Sequence, residues 1–323
     1  MSHDQTNDQA ITNLDRIWQI FGPEDLAAVC AMDEQDFPAA YGLDVTTIDP
    51  KEAVEGADWF AFKDNGSNIL AVAHLDTVAY ARNRAARFVD TEDGPVVFSR
   101  ALDDRLGAYI ILHMLPRLGV NVDVLLTVGE EMGCSTAQFF DTDKQYNWII
   151  EFDRGGTDVV MYEYDDENLR QRVRDVKARV GMGSFSDICY LEHLGCKGLN
   201  WGVGYQDYHG PRSHAFLDDT FGMLDRFLDF HEDNADDFLP HEKQDRYSKW
   251  TWAYSSVGWD TGWGREHDDP DYPSHLISST VEAEIDDDDT DFEDDTTINE
   301  SDPDWLKQYK REYTEWWQRK DVG

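Results

Sequence analysis

Five short stretches of this chain carry side chains that can bind a metal or move a proton. His74-Leu75-Asp76 closes the apolar run ILAVA, and Asp103-Asp104-Arg105-Leu106-Gly107 opens an amphipathic segment. Gly129-Glu130-Glu131-Met132-Gly133 follows VDVLLTV, Asp153 follows NWIIEF, and His209-Gly210 follows LNWGVGYQDY. Imidazoles and carboxylates together form the donor set of borderline divalent cations such as Zn²⁺. Taken singly, each stretch has a plain structural explanation. A buried histidine is commonly satisfied by a carbonyl, and paired acids commonly start a helix. Acid pairs are also frequent in any chain this acidic. Weight comes from their joint order and from their placement, each at the boundary of an element.

The elements that would position them read as follows. DWFAFK and NILAVAH are expected as paired strands, DRLGAYIILHML as a helix, VDVLLTVG as a buried strand and STAQFF as a short helix. NWIIEFD and DVVMYEY read as strands, SDICYLEHL as a helix, GLNWGVG as a strand and DDTFGMLDRFLDFHED as a helix. Residues 10–33 show helical periodicity through Ile11, Leu14, Ile17 and Trp18, and Pro23 opens a second helix. Alternating strands and helices indicate an α/β, three-layer sandwich with a mixed, mostly parallel central sheet. In such sheets ligands collect beyond the carboxyl ends of the strands, where these motifs fall.

The ordered set HxD, DDRxG, GEExG, Asp and His-Gly resembles the co-catalytic dinuclear zinc exopeptidases, over about residues 55–232. These include peptidase T, the aminoacylase and desuccinylase relatives, and leucyl and glutamyl aminopeptidases. The resemblance implies that His74, Asp103 and Asp153 hold one zinc, and that Asp103, Glu131 and His209 hold a second, with Asp103 bridging. It implies Glu130 as general base, Asp76 as the residue orienting His74, and a cis peptide after Asp103. His209 is preferred over His214 because a small residue follows it directly after a turn. Two cations ~3.5–4 Å apart would need a shared carboxylate, and a water between them would ionise near pH 7. Co²⁺ or Mn²⁺ could replace Zn²⁺ on the same donors.

Only 28 residues separate His74 from Asp103 and about 30 separate Asp153 from GSFSD, too few for the lid domains of larger relatives. The resemblance is therefore to a lid-less, single-domain form, which favours an aminopeptidase acting on peptides. An N-acyl amino-acid deacylase with the same metals is the alternative. Two further readings are a metal-binding or interaction protein without turnover and a structural module whose acids serve only salt adaptation. Among lesser candidates, Arg105 is expected in a local salt bridge and Arg212 in a surface pair. Gly155 and Gly156 after Arg154 suit either a plain turn or close approach by substrate. Ser184 and Ser186 lack a nucleophile elbow, and Cys134 and Cys189 lack a basic partner.

With 28 Lys and Arg against 67 Asp and Glu, the formal charge is −39. That excludes a nucleic-acid binder and docking on anionic lipid, both of which need basic surface. Arg outnumbers Lys, 18 to 10. At ~1 M salt the Debye length is ~3 Å, which would screen the self-repulsion of so acidic a surface, so a halophilic source with a high-salt cytoplasm is expected. No stretch is apolar and long enough to span a membrane, and the N-terminus does not read as a signal peptide. Cys30, Cys134, Cys189 and Cys196 show no pairing or metal-binding spacing, as expected of reduced thiols.

The expected organisation has four parts. Residues 1–54 form a helical segment packing on the core, and residues 55–235 the metallohydrolase core. Residues 236–300 form an acidic, largely disordered region containing Trp and Pro, and residues 301–323 an aromatic amphipathic helix. Seven of the eleven tryptophans lie beyond residue 249. That region is the expected surface for a protein partner or for self-association.

Overall fold

The computed structural model describes residues 12–78 and 84–242. Twelve strands occur among them: β1 (Asp44–Thr47), β2 (Trp59–Lys63), β3 (Ile69–His74), β4 (Arg87–Thr91), β5 (Gly94–Phe98), β6 (Asp123–Thr127), β7 (Trp148–Glu151), β8 (Asp158–Val160), β9 (Arg179–Val180), β10 (Lys197–Trp201), β11 (Tyr205–Gln206) and β12 (His214–Phe216). The α-helices are α1 (Asn13–Ile20), α2 (Pro23–Ala31), α3 (Phe37–Tyr41), α4 (Leu102–Tyr109), α5 (Leu115–Leu118), α6 (Glu167–Asp175) and α7 (Leu217–Asn234).

Eight strands form the main sheet in the order β1-β2-β6-β3-β7-β10-β8-β9. Its centre, β6-β3-β7-β10, is parallel throughout, and antiparallel pairs flank it. The α/β class with a mixed, mostly parallel sheet is therefore as expected. β3 is buried at every position, the mark of a strand covered on both faces. One correction concerns neighbours. β2 and β3 do not pair with each other, because β6 enters between them and pairs with both. Four further strands, β11-β12-β5-β4, make a small second sheet. Its hairpin β4–β5 occupies the short stretch between His74 and Asp103.

Local chemistry explains the helix ends. Thr12 caps α1 through a reciprocal pair: its hydroxyl accepts the Asp15 amide at 3.1 Å, and the Asp15 carboxylate accepts the Thr12 amide at 3.0 Å. Pro23 opens α2 at a position where no amide is needed. Between α4 and α5 the chain widens into a π turn, Ile110–Met114. Pro116 follows two residues later and cannot donate to the carbonyl four residues back, which favours that widened register. The long helix α7 buries Phe221, Leu224, Phe227 and Leu228. Phe227 meets the edges of Trp148, Phe152 and Trp201, which project from the parallel strands. Helix α1 lies beside α7, with Trp18 against Phe221 at 4.6 Å. The sheet also carries a thinner layer of 3₁₀ turns, including Thr136–Phe139, where a short helix was expected, and Asp187–Tyr190, where a helix was expected.

Residues 44–47, expected inside a helical segment, form β1 on the edge of the main sheet. Their side chains are all exposed, so no apolar periodicity marks them. DVVMYEY yields only the three-residue β8, followed by a 3₁₀ turn. Residues 236–242 continue the ordered chain: the Leu239 carbonyl accepts the Lys197 amide at 2.8 Å and Leu239 is buried. The expectations for residues 1–11, for the acidic stretch from 243 to 300 and for the aromatic segment 301–323 lie outside the described residues. Among the described residues, no helix is long and apolar enough to cross a membrane.

Candidate metal centre

The motif residues converge where the parallel strands end. His74 is the last residue of β3, beside Thr127 on β6. Glu130 and Glu131 follow β6, Asp153 follows β7, and Asp103 lies at the mouth of α4. His209 comes from the loop between β11 and β12 with φ of 64°. Two triads result, His74–Asp103–Asp153 and Asp103–Glu131–His209, each with its potential ligand atoms within 4.8 Å of one another. Asp103 belongs to both. One of its oxygens lies 3.2 Å from His74 Nε2 and the other 3.0 Å from His209 Nε2. His209 Nε2 is also 2.9 Å from Glu131 Oε2. His214 lies elsewhere, on β12, stacked on Phe98 with Nδ1 donating to the Arg212 carbonyl at 2.7 Å.

The peptide between Asp103 and Asp104 is cis. The regular helix begins only after Asp104, whose carboxylate accepts the Gly107 amide at 3.0 Å as an N-cap. That contact explains the glycine of DDRLG, since a Cβ at Gly107 would lie 2.2 Å from Asp104 Oδ1.

Asp76 does something its sequence position did not suggest. Its two carboxylate oxygens accept the backbone amides of Glu130 and Glu131, at 3.3 and 3.1 Å. It thus holds the loop carrying both glutamates. The His74 ring is oriented mainly by the backbone carbonyl of Asp76, which accepts from Nδ1 at 2.9 Å, while the carboxylate stands 3.6 Å away. A carbonyl can only accept, so Nδ1 carries a proton, and Nε2 is the atom turned toward Asp103, Asp153 and Glu130, where a cation would displace its proton. This is the usual arrangement of a metal-ligating imidazole.

The electrostatics favour cations. Burial, reinforced by the charges of Asp153, Asp187 and Asp103, raises Glu130 to about 8 despite the opposing imidazolium of His74. Burial and the Asp103 charge raise Asp153 to about 7. Asp103 is buried too, but hydrogen bonds from His209 and His74 hold it well below the usual carboxylate range. Two imidazoles therefore cannot balance the acids around them. Glu131 Oε1 and Asp104 Oδ2 are buried without a hydrogen-bond partner. Orphaned carboxylate oxygens, a shared aspartate and two imidazoles whose Nε2 atoms face it together fit a pair of divalent cations.

The lesser candidates fall outside the centre or in supporting places. Arg105 forms no ion pair among the described residues: it is fully buried, with its guanidinium 4.6 Å from the Phe37 ring and Nη1 donating to the Val29 carbonyl at 3.4 Å. It lies at the carbonyl end of α2, where a cation is favoured. Arg154 is gripped by both oxygens of Asp158, at 2.5 and 3.1 Å, and Arg212 stands 3.7 Å from Asp207. The Ser186 hydroxyl is buried and donates to Glu151. None of the four cysteines forms a disulfide among the described residues, and Cys30 and Cys196 are buried. Sequence reasoning missed Asn200 and Tyr205, both of which bind Asp153.

Residues 70–168 match the sequence model of the M42 glutamyl aminopeptidase family. That stretch holds His74, Asp76, Asp103, Glu130, Glu131 and Asp153, so the resemblance read from the motifs is found again independently. The chain carries a metallopeptidase core. No curated protein matches it. Among solved structures it is similar to a tripeptidase from Staphylococcus aureus, at 12% identity and a TM-score of 0.48 over 70% of this chain and 100% of that one. It is similar to the aminopeptidase PepT from Bacillus cereus, at 10% and 0.47 over 68% and 99%. A TET aminopeptidase from a marine-sediment thaumarchaeote gives 12% and 0.44 over 66% and 96%.

Proposed function

We propose that the protein is an aminopeptidase that hydrolyses peptide bonds with two divalent cations, most simply Zn²⁺. The supporting observation is the bridging pose of Asp103, which offers one oxygen toward each of two imidazoles at 3.2 and 3.0 Å. His74 and Asp153 would complete one site, and Glu131 and His209 the other. Bound there, the cations would acidify water and polarise the scissile carbonyl. Glu130 takes the water proton and passes it to the leaving nitrogen, worth typically ~10²–10⁴ in rate. Its carboxylate suits that work: Oε2 stands 3.9 Å from His74 Nε2, beside the centre. Asp76 fixes the main chain on which Glu130 is carried.

A deacylase would have to bind the free carboxylate of an N-acyl amino acid. The arginines adjoining Asp153 and following His209 are already committed, Arg154 to Asp158 and Arg212 toward Asp207. The surplus of acids suits a free ammonium instead, which favours peptides with an unblocked N-terminus. The acidic composition further supports a protein adapted to high salt.

The test is metal content followed by turnover. Protein purified in high salt should bind about two equivalents of Zn²⁺ and cleave aminoacyl anilides in preference to N-acyl amino acids. Glu130→Gln should abolish cleavage with metal still bound. A protein that binds no divalent metal sinks the proposal, and an unchanged rate in the Gln variant sinks the role of Glu130.

A further inference from the structure

Tyr205 has no part in the reaction proposed above. It is 3% exposed, four residues before His209, and its hydroxyl donates to Asp153 Oδ1 at 2.7 Å. The absence of a side chain at Gly155 makes room for it: a Cβ there would stand 3.0 Å from the Tyr205 carbonyl oxygen and 3.6 Å from its ring. The His74 imidazole stands 3.7 Å from the same Asp153 Oδ1, and the remaining hydrogen bonds on Asp153 are to its main chain. Its amide donates to Asn200 Oδ1 at 3.0 Å, and its carbonyl accepts from Asn200 Nδ2 at 2.8 Å. Asn200 stands on β10, the parallel neighbour of β7, so it extends the strand ladder by one residue with a side chain. Those bonds fix the backbone but leave the carboxylate able to turn about its own torsions. The Tyr205 hydroxyl stops that rotation.

The same ring continues toward the other triad. Tyr205 meets Tyr208 edge-on at 5.6 Å, and Tyr208 meets His209 at 4.8 Å. The hydroxyl itself, however, bonds a member of the His74 triad only.

We propose that Tyr205 is a positioning residue for the metal centre: it locks the Asp153 carboxylate in the orientation its cation requires and thereby sets the affinity of that site relative to the other. The inference rests on the two-cation reading. An unlocked carboxylate must give up rotational freedom each time it binds, and partners that orient a ligand typically change metal affinity ~10–100-fold. The effect should be one-sided, because Glu131 and His209 do not depend on this hydrogen bond.

Tyr205→Phe keeps the ring against Gly155 and Tyr208 and removes only the hydroxyl. Metal-free full-length wild type and variant are titrated with Zn²⁺ against a chelator, and with Co²⁺ followed by its visible absorption. The expected result is that one of the two equivalents weakens ~10–100-fold and its Co²⁺ band shifts, while the other stays within twofold. The thermal midpoint of the metal-free variant should match wild type, which separates positioning from general stability. Two equivalents both within twofold of wild type would overturn the inference, as would equal weakening of both. Wild type that binds no metal is a different outcome: it removes the two-cation reading itself.

Discussion

Asp76→Ala removes the two hydrogen bonds that hold the backbone of Glu130 and Glu131, and its cost can be worked from their geometry. The bonds measure 3.3 and 3.1 Å, long for a charged acceptor, so each is placed at the low end for bonds to charged groups, ~1.5 kcal/mol. Together they hold the loop by ~3 kcal/mol. Water can replace part of this, because the Asp76 side chain is 15% exposed, which leaves ~1.5–3 kcal/mol. At ~1.4 kcal/mol per factor of ten, activity should fall ~10–100-fold. The loss should track the Glu131–His209 cation rather than the other, because His74 Nδ1 donates to the Asp76 carbonyl, which alanine keeps. Asp76→Asn retains one good acceptor and should fall between. The assay is kcat/KM on an aminoacyl anilide, with Zn²⁺ affinity measured by chelator competition. If Asp76→Ala keeps both within twofold, the loop is held by something else and the argument fails. If the His74 site weakens instead, the carboxylate orients the imidazole after all.

Three other outcomes follow from the same coordinates. Asp123, fully buried at the start of β6, accepts the amides of Asn65 and Ser67 at 2.9 and 3.0 Å, Lys144 Nζ at 2.5 Å and the Tyr146 hydroxyl at 2.9 Å. Asp123→Ala should therefore cost ~3–5 kcal/mol in urea unfolding, and a loss under ~1 kcal/mol would refute the network's importance. His113, His231 and His241 are held below the usual histidine value, chiefly by burial. On these three residues the unfolded chain binds more protons just below pH ~6.5, so their own contribution to stability rises with pH through that window and is lost as pH falls beneath it, opposed there by the raised Glu130 and Asp153. His231→Gln should make the slope of urea midpoint against pH between 5.5 and 7 less positive than in wild type, and an identical slope would remove that histidine from the account. Finally, a chain of formal charge −39 should melt at higher temperature in 2 M KCl than in 0.1 M, and a midpoint independent of salt would remove the halophilic expectation.

His74, Glu130, Glu131 and Asp153 were legible because each follows an apolar run, and the ends of buried parallel strands are where such a fold must expose its chemistry. His74 and Asp153 could be placed by that reasoning alone. The order of the strands could not. β2 and β3 are adjacent in sequence, yet β6 lies between them, since the choice of neighbour is made by tertiary burial of the whole sheet. β1 was invisible for the opposite reason: every side chain of DVTT is exposed, so only its backbone bonds to β2 define it. The 3₁₀ turns Thr136–Phe139 and Asp187–Tyr190 read as helices because their apolar spacing is helical, but neither segment is long enough to repay nucleating one.

What sequence hides most thoroughly is polar support. Ligand residues announce themselves by type, whereas Tyr205 is spelled like any core aromatic and Asn200 like any strand amide. Even Asp76, read from the sequence as a companion of His74, acts mostly through a loop 54 and 55 residues away. The reason is geometric. A ligand has to lie near the strand end that presents it, so its neighbours in sequence betray it. A supporting group needs only to reach the ligand, and it can come from any strand that packs alongside. β10 and β11 supply Asn200 and Tyr205 to Asp153 because β10 is the parallel neighbour of β7, a relation no local pattern contains.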